Sequence, residues 1–330
     1  MKSYKITIEL LSPLSTPLQS DTIFGHTCWI HRYLQGTDEA LLRSILLEFD
    51  NNPKLIVSSG FPSGYLPRPK LRPLNTEERN ELIKKYINPK KKADYLKAFQ
   101  LLKKIKKKVF IPADDFEKIK EDLSEKNVVD YYLRVNSKEE VKETEEELPM
   151  ETYSVSHNTI NRLSWSVEEE GGGFFHSDEY HFHERRFDIY LKTSLHEFNL
   201  DYLKKVFTVM GEFGFGKDKS VGKGHFKVVE VTEISFEKKG NAVMSLSNFV
   251  PDNSLNVGWY DLLTKYGKLG GNFAKDGTRP FKNPILMITP GSTFKVNELK
   301  EYYGSCISYV HDNKNIKQHT YLFPFYVTIS

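Results

Sequence analysis

Between Gly214 and Phe226 the chain reads GFGKDKSVGKGHF, with glycines at 214, 216, 222 and 224 and lysines at 217, 219 and 223. Glycine is entropically costly to order, so this density points to a backbone that turns tightly or lets a ligand come close. Successive glycines can aim backbone N–H groups at one point, and the lysines add charge complementary to phosphate. Spacing excludes two nucleotide motifs. The dinucleotide fingerprint GxGxxG fails because Lys219 stands where its third glycine belongs, and a P-loop fails because Gly224 follows Lys223 in place of Ser or Thr. A surface turn has the same composition. As a ligand site, the stretch suits a phosphate backbone held without sequence reading.

Three further clusters carry chemistry. In SDTIFGHTCWIHRY, His26 near a helix start has the residue type for general acid–base work on RNA, but no lone His establishes catalysis, and with Phe24, Trp29 and Tyr33 around it a packed or surface ring is expected. In HSDEYHFHE, His181 and His183 share a strand face, as two metal ligands would, while His176 lies further off. No third ligand follows at a diagnostic spacing, so an exposed polar face is expected. In SHNTINR, His157, Asn158 and Arg162 have the side chains to contact phosphate or stack on a single-stranded base. None of these clusters calls for a cofactor or a metal.

The elements that must position these residues follow from periodicity. YKITIELLSPL alternates as a first strand, and Ile23, Thr27 and Ile30 set helical spacing behind Ser20 or Asp21 as N-cap. KLIVSSGFPSGYLPRPKLRP reads as a second strand running into an extended segment. From about 76 to 148 the pattern breaks into an insertion. Fifteen Lys/Arg oppose four Asp/Glu between Arg68 and Lys108, and seven glutamates oppose two lysines in SKEEVKETEEELPME. A third strand ends in RFDIYLKT. A helix with apolar residues at 203, 206, 207 and 210 leads to the glycine loop, and HFKVVEVTEISF is the fourth strand. The order strand, helix, strand, strand, helix, strand is that of an α+β ferredoxin-like fold over 1–236. A smaller unit, 237–330, follows with AVMSLSNFVP, a helix in WYDLLTKYGKL, a strand in ILMITPGSTFKV and a last strand in TYLFPFYVTIS.

The 330 residues, 39% hydrophobic and 13% aromatic, suffice for a sizeable core, and a net charge of only +3 means any polyanion site rests on local concentration. Cys28 and Cys306 have no disulfide or zinc spacing. With no signal-like stretch and no apolar run of spanning length, a soluble cytoplasmic protein is expected.

Taken together, SPLSTPLQSDTIFGHTCW, GFPSGYLPRPKL, SHNTINRL with GGGFF, the glycine loop, NPILMITPGSTF and YLFPFYV resemble, in order, the RAMP superfamily. More narrowly, they resemble the subunit of type III-A CRISPR interference (Csm) complexes that holds the 5′ end of the guide RNA. The resemblance leaves the insertion at 76–148 uncovered. It implies a ferredoxin-like (RRM-like) domain with a smaller related one. It implies a non-catalytic subunit that grips the crRNA 5′ tag and docks the large polymerase/nuclease subunit and a backbone RAMP subunit, with target RNA met only indirectly. The alternative is a RAMP endoribonuclease with His26 as acid or base. Carried over by motif, the RNA-binding residues are Ser20, Asp21, Thr22, Phe24, Gly25 and His26; Arg68, with Lys70 beside it; His157, Asn158 and Arg162; and Gly214, Gly216, Lys217, Lys219, Ser220, Gly222, Lys223 and Gly224.

Overall fold

The computed structural model describes the chain apart from residues 37–44, 47–48, 88–90, 139–149, 162, 168–172, 271–278, 315 and 330. Strand β1 (Lys2–Leu10) buries Tyr4, Ile6, Ile8 and Leu10 on one side, as its alternation requires. Helix α1 (Ser20–Gln35) buries Ile23, Phe24, Thr27, Ile30 and His31 along one stripe. Its N-cap is Gln19 rather than Ser20 or Asp21, which are the first helical residues and use their side chains elsewhere. Strand β2 (Leu55–Pro62) follows, then the short β3 (Tyr65–Pro67).

The insertion is built on helices. Helix α2 (Thr76–Tyr86) opens with a capping box between Asn75 and Glu78, and α3 (Lys92–Lys107) carries six lysines of the basic run. After β4 (Phe110–Pro112), which pairs with β3, come α4 (Ala113–Ile119) and α5 (Glu125–Lys138). Both α2 and α3 pack on α5. Leu82, Ile105, Phe116, Val128 and Leu133 join the main apolar core, so the helical part is continuous with the fold.

Strand β5 (Met150–Asn158) returns from the insertion and pairs along its length with β8 (Phe174–Phe182). At the far end of this hairpin a two-residue ladder joins β6 (Ile160–Asn161) to β7 (Ser166–Val167). The sequence reads this region as an extended segment, a glycine-rich turn and a strand ending in RFDIYLKT, and does not show the pairing of β5 with β8. Strand β9 (Arg186–Thr193), helix α6 (Leu200–Phe213) and strand β10 (Phe226–Ile234) complete the N-terminal unit. Helix α6 buries Leu203, Val206, Phe207 and Met210, begins at an Asn199 cap and ends at Gly214. The sheet runs β10–β1–β9–β2, every pair antiparallel, with α1 against β2, α6 against β10 and the two helices against each other.

The second unit corrects one expectation. WYDLLTKYGKL is not helical: β12 (Leu255–Trp259) and β13 (Leu262–Lys265) occupy it, after β11 (Ala242–Ser245). ILMITPGSTFKV is likewise two strands, β14 (Ile285–Ile288) pairing with β13 and β15 (Thr293–Val296) entering the sheet. Strand β16 (Tyr303–Gly304) pairs with β17 (Tyr321–Leu322), and β18 (Pro324–Val327) ends the chain's sheet structure. The second sheet runs β12–β15–β11–β18, all antiparallel. Numbered by order of appearance within each sheet, the first read from β10 and the second read from β18 both give 4-1-3-2. The second has no helix among its described residues.

Period-two alternation explains how the units join. Ala242, Met244, Phe325 and Val327 face the main core shared with the first unit, whereas Val243, Phe294 and Tyr326 face a smaller cluster on the other side. No described helix is long and apolar enough to cross a membrane.

Candidate nucleic-acid interface

The glycine loop is fixed by its own chain. Phe215 N–H donates to Gly224 O at 2.8 Å, and Gly224 N–H donates to Pro13 O at 2.9 Å. Gly216 N–H donates to His26 Nε2 at 3.1 Å, and Lys217 N–H to Thr16 Oγ1 at 3.0 Å. Carbonyls of Asp218 and Lys219 accept from Val221, Gly222 and Lys223. The N–H groups of Gly216, Gly222, Lys223 and Gly224, expected to face a phosphate, therefore hold the loop in shape. The glycines answer to sterics. At Gly224, with φ +73°, a Cβ would stand 2.1 Å from Phe215 O, and at Gly216, with φ +80°, it would stand 2.6 Å from Thr16 Cβ.

What the loop presents outward is Lys217, Lys219, Ser220 and Gly222, all exposed. Lys217 lies 3.6 Å from Asp218 at the surface, and Lys219 has no acidic partner among the described residues. Lys223 is different. Its Nζ pairs at 2.7 Å with Glu179 of β8, a carboxylate only 3% exposed, so its charge neutralises the hairpin. Burial would push the Glu179 carboxyl up, but hydrogen bonds from Lys223 and His181 hold it below the ordinary range.

His26 sits over Phe215, ring centroids 4.8 Å apart, and its Nε2 accepts the Gly216 N–H. That bond assigns the ring proton to Nδ1. Burial, reinforced by the nearby Lys219 charge, lowers its pKa to about 4. At neutral pH it is an uncharged acceptor with its basic nitrogen occupied.

The other first-helix residues join the two units. Ser20 Oγ accepts from Asn248 N–H at 2.9 Å. Asp21 is buried, pairing with Lys265 at 3.1 Å and accepting from Gln318 Nε2 at 3.0 Å, and Thr22 Oγ1 accepts from the same lysine at 3.0 Å. Phe24 stacks on His319 at 4.2 Å and Phe49 at 5.1 Å inside the core. Ser20, Asp21 and Phe24, carried over by motif as RNA-binding, spend their side chains inside the fold, anchoring the helix that carries His26. Gly25 has open space where a Cβ would go. Arg68 is also internal, bonded to Glu125 at 2.7 Å with both side chains nearly buried, which ties β3 to the start of α5. Lys70 pairs with Asp261 at 2.5 Å.

The long hairpin borders the loop. Leu14 pairs with Tyr180 across its edge, and Lys223 reaches Glu179 on its face. His157 is half-buried, bonds Ser177 Oγ at 2.7 Å and stacks on Phe175 at 5.2 Å; Asn158 is exposed beside Phe174. Arg162 lies outside the described residues. The hairpin also exposes Tyr153, Trp165, Phe174 and Phe175, which motif spacing does not single out. The glycine run at 171–173 and the aromatic FFHSDEYHF that follows it are the available sequence signal for that pairing. His181 lies 3.4 Å from Glu179 and His183 3.5 Å from Glu151, around an open groove of about 650 Å³ lined also by Tyr153 and Val155. Among the described residues no group of three or more His, Cys, Asp or Glu is placed to hold a metal.

No protein-family profile matches the sequence, and no curated protein matches it. Solved structures do. A chain of the crystal structure of a Csm1–Csm4 cassette in complex with AMPPNP superposes with a TM-score of 0.57 at 18% identity, covering 100% of this chain and 99% of that one. The same cassette in complex with cA4 gives 0.54 at 17% over the same coverage. A chain of the Csm3–Csm4 subcomplex of the type III-A CRISPR-Cas interference complex gives 0.50 at 15%, covering 96% and 99%. Over its whole length, insertion and second unit included, the chain has the fold of the Csm4 chains of type III-A CRISPR-Cas assemblies.

Proposed function

We propose that this chain is a non-catalytic, cytoplasmic RNA-binding subunit of a type III-A CRISPR effector complex. It caps the 5′ tag of the crRNA and docks the large polymerase/nuclease subunit on one side and a backbone RAMP subunit on the other. The observation that carries this reading is the end-to-end structural match to chains whose companions are Csm1 and Csm3. The antiparallel sheet β10–β1–β9–β2 under two helices supports a ferredoxin-like RAMP domain over 1–236, and a second four-stranded antiparallel sheet in 237–330 supports a related domain. Lys217, Lys219 and Ser220 at the rim of a rigid loop, beside exposed aromatics of the hairpin, supply phosphate charge and stacking surface for an unpaired strand.

The position of His26 supports a binding role over an endoribonuclease one, since its Nε2 is committed to Gly216 and its charge is suppressed. The test is co-expression of a tagged copy with the neighbouring effector genes and a CRISPR array. The proposal expects the large subunit, a backbone subunit and RNAs sharing a common 5′ tag to copurify, and purified protein to bind repeat RNA intact. Cleavage of repeat RNA abolished in His26→Ala would overturn the non-catalytic reading. Recovery without partners or tag RNA would overturn the effector reading.

A further inference from the structure

Helix α3 carries a second charged surface that the glycine-loop site does not use. Its inward face is Ala98 and Ile105, with Leu101 and Leu102 half-buried beside them. The opposite arc carries Lys92, Lys97, Lys103, Lys104, Lys106 and Lys107, all exposed and none with an acidic partner among the described residues. The helix's one acid, Asp94, is turned to the N-cap, where its carboxylate accepts from Lys91 N–H at 3.0 Å. Four other lysines of the insertion are paired: Lys85 with Asp130, Lys126 with Glu81, Lys118 with Asp115 and Lys120 with Glu117. Six lysines without an acidic partner among the described residues thus share the solvent-facing half, the crest, of a helix about 24 Å long. Tyr95, Leu96 and Phe99 are exposed among the lysines, and the guanidinium of Arg79 lies 5.2 Å over the Phe99 ring.

We infer that this crest is a second binding surface for single-stranded nucleic acid, separate from the loop that carries the proposed tag site. A row of unpaired cations attracts any polyphosphate, and exposed rings between them give flexible bases a stacking platform, the combination that single strands require. A lipid surface fits less well, because an interfacial helix needs a whole apolar face and α3 commits its own to the core. Ammonium–phosphate attraction and ring stacking do not depend on the 2′-hydroxyl, so RNA and DNA single strands are expected to bind alike.

The test compares three full-length proteins: the unaltered chain, a crest variant (Lys92→Gln, Lys103→Gln, Lys107→Gln), and a charge-matched control in paired lysines (Lys85→Gln, Lys118→Gln, Lys126→Gln). Thermal melts of all three establish that each is folded. Fluorescence anisotropy with U30 and dT30 across a salt series is the readout. The inference expects the crest variant to bind both oligomers roughly tenfold more weakly at moderate salt. It also expects the salt slope to flatten by about 2, near 0.7 for each phosphate no longer neutralised, with the control close to unaltered. Tyr95→Ala is expected to weaken U30 binding without changing the slope. Equal losses in both triple variants, preference for a 30-bp duplex, or binding only to phosphatidylserine vesicles would each overturn it. Lys217 and Lys219 are untouched throughout, so failure here leaves the loop site standing, and failure there leaves this one.

Discussion

Single residues show how much of the site is support. His26 is held neutral in the fold, with a pKa of about 4 against an ordinary 6.5. Between those values the unfolded chain binds the extra proton, so its contribution to stability is complete above about pH 6.5 and is lost as pH falls toward 4. The loss is about 1.4 kcal/mol per pH unit at most. Buried His319, also lowered to about 4, acts in the same sense. Denaturant unfolding from pH 7.5 to 4 is expected to show this decline, and a shallower one in His26→Gln. An unchanged profile would show that the ring is not held neutral. Gly224→Ala, which forces a Cβ against Phe215 O at positive φ, is expected to cost roughly 1–3 kcal/mol in the same measurement. Glycine and lysine spacing marked the loop as a candidate, but the task of each glycine was not legible. Thr16 and His26, 201 and 190 positions before the loop residues they bond, decide where those N–H groups point.

At the scale of elements, the hairpin and the loop act as one surface through Lys223 and Glu179. Sequence alone treats Lys217, Lys219 and Lys223 as equivalent, and the structure separates them. Lys217→Ala with Lys219→Ala is expected to flatten the salt dependence of tag-RNA binding by about 1.4 while leaving the melting temperature within a degree or two. Lys223→Ala is expected to do the reverse. It leaves the buried Glu179 charge without its lysine, which destabilises the fold by about 3 kcal/mol, and Glu179→Gln in the same chain recovers much of that. A melt and a salt titration on the three variants check both. The strands and helices of the first unit were legible because their apolar periods are clean. The long hairpin was not, because its exposed polar faces hide the alternation, and neither was WYDLLTKYGKL, where tertiary pairing of Leu262–Lys265 with Ile285–Ile288 overrides a helix-like pattern.

Across the whole molecule, the two sheets stand on one core, and the polar groups of α1 are fasteners between them. Ser20 bonds to Asn248, and Asp21 to Lys265 and Gln318. Lys192 lies buried in the same junction, 3.5 Å from Glu301 and about 5 Å from the rings of Phe323 and Tyr326. Burial lowers its pKa against the pull of Glu301. Lys192→Met is accordingly expected to stay within about 1 kcal/mol of the unaltered chain, while Lys192→Ala, which leaves a cavity, loses roughly 2–4 kcal/mol. A single cooperative transition in the full chain, read by calorimetry, is the matching expectation for a shared core. Under the proposed function, this fold grips the 5′ end of a guide RNA at the loop between α6 and β10. Reconstituting the effector with crRNA carrying a photoreactive nucleotide at either end, then mapping crosslinked peptides, tests it most directly. Crosslinks from the 5′ tag to the peptide containing Lys217 and Lys219 are predicted. Crosslinks to this chain only from the 3′ end, or from the tag only to other subunits, would contradict it.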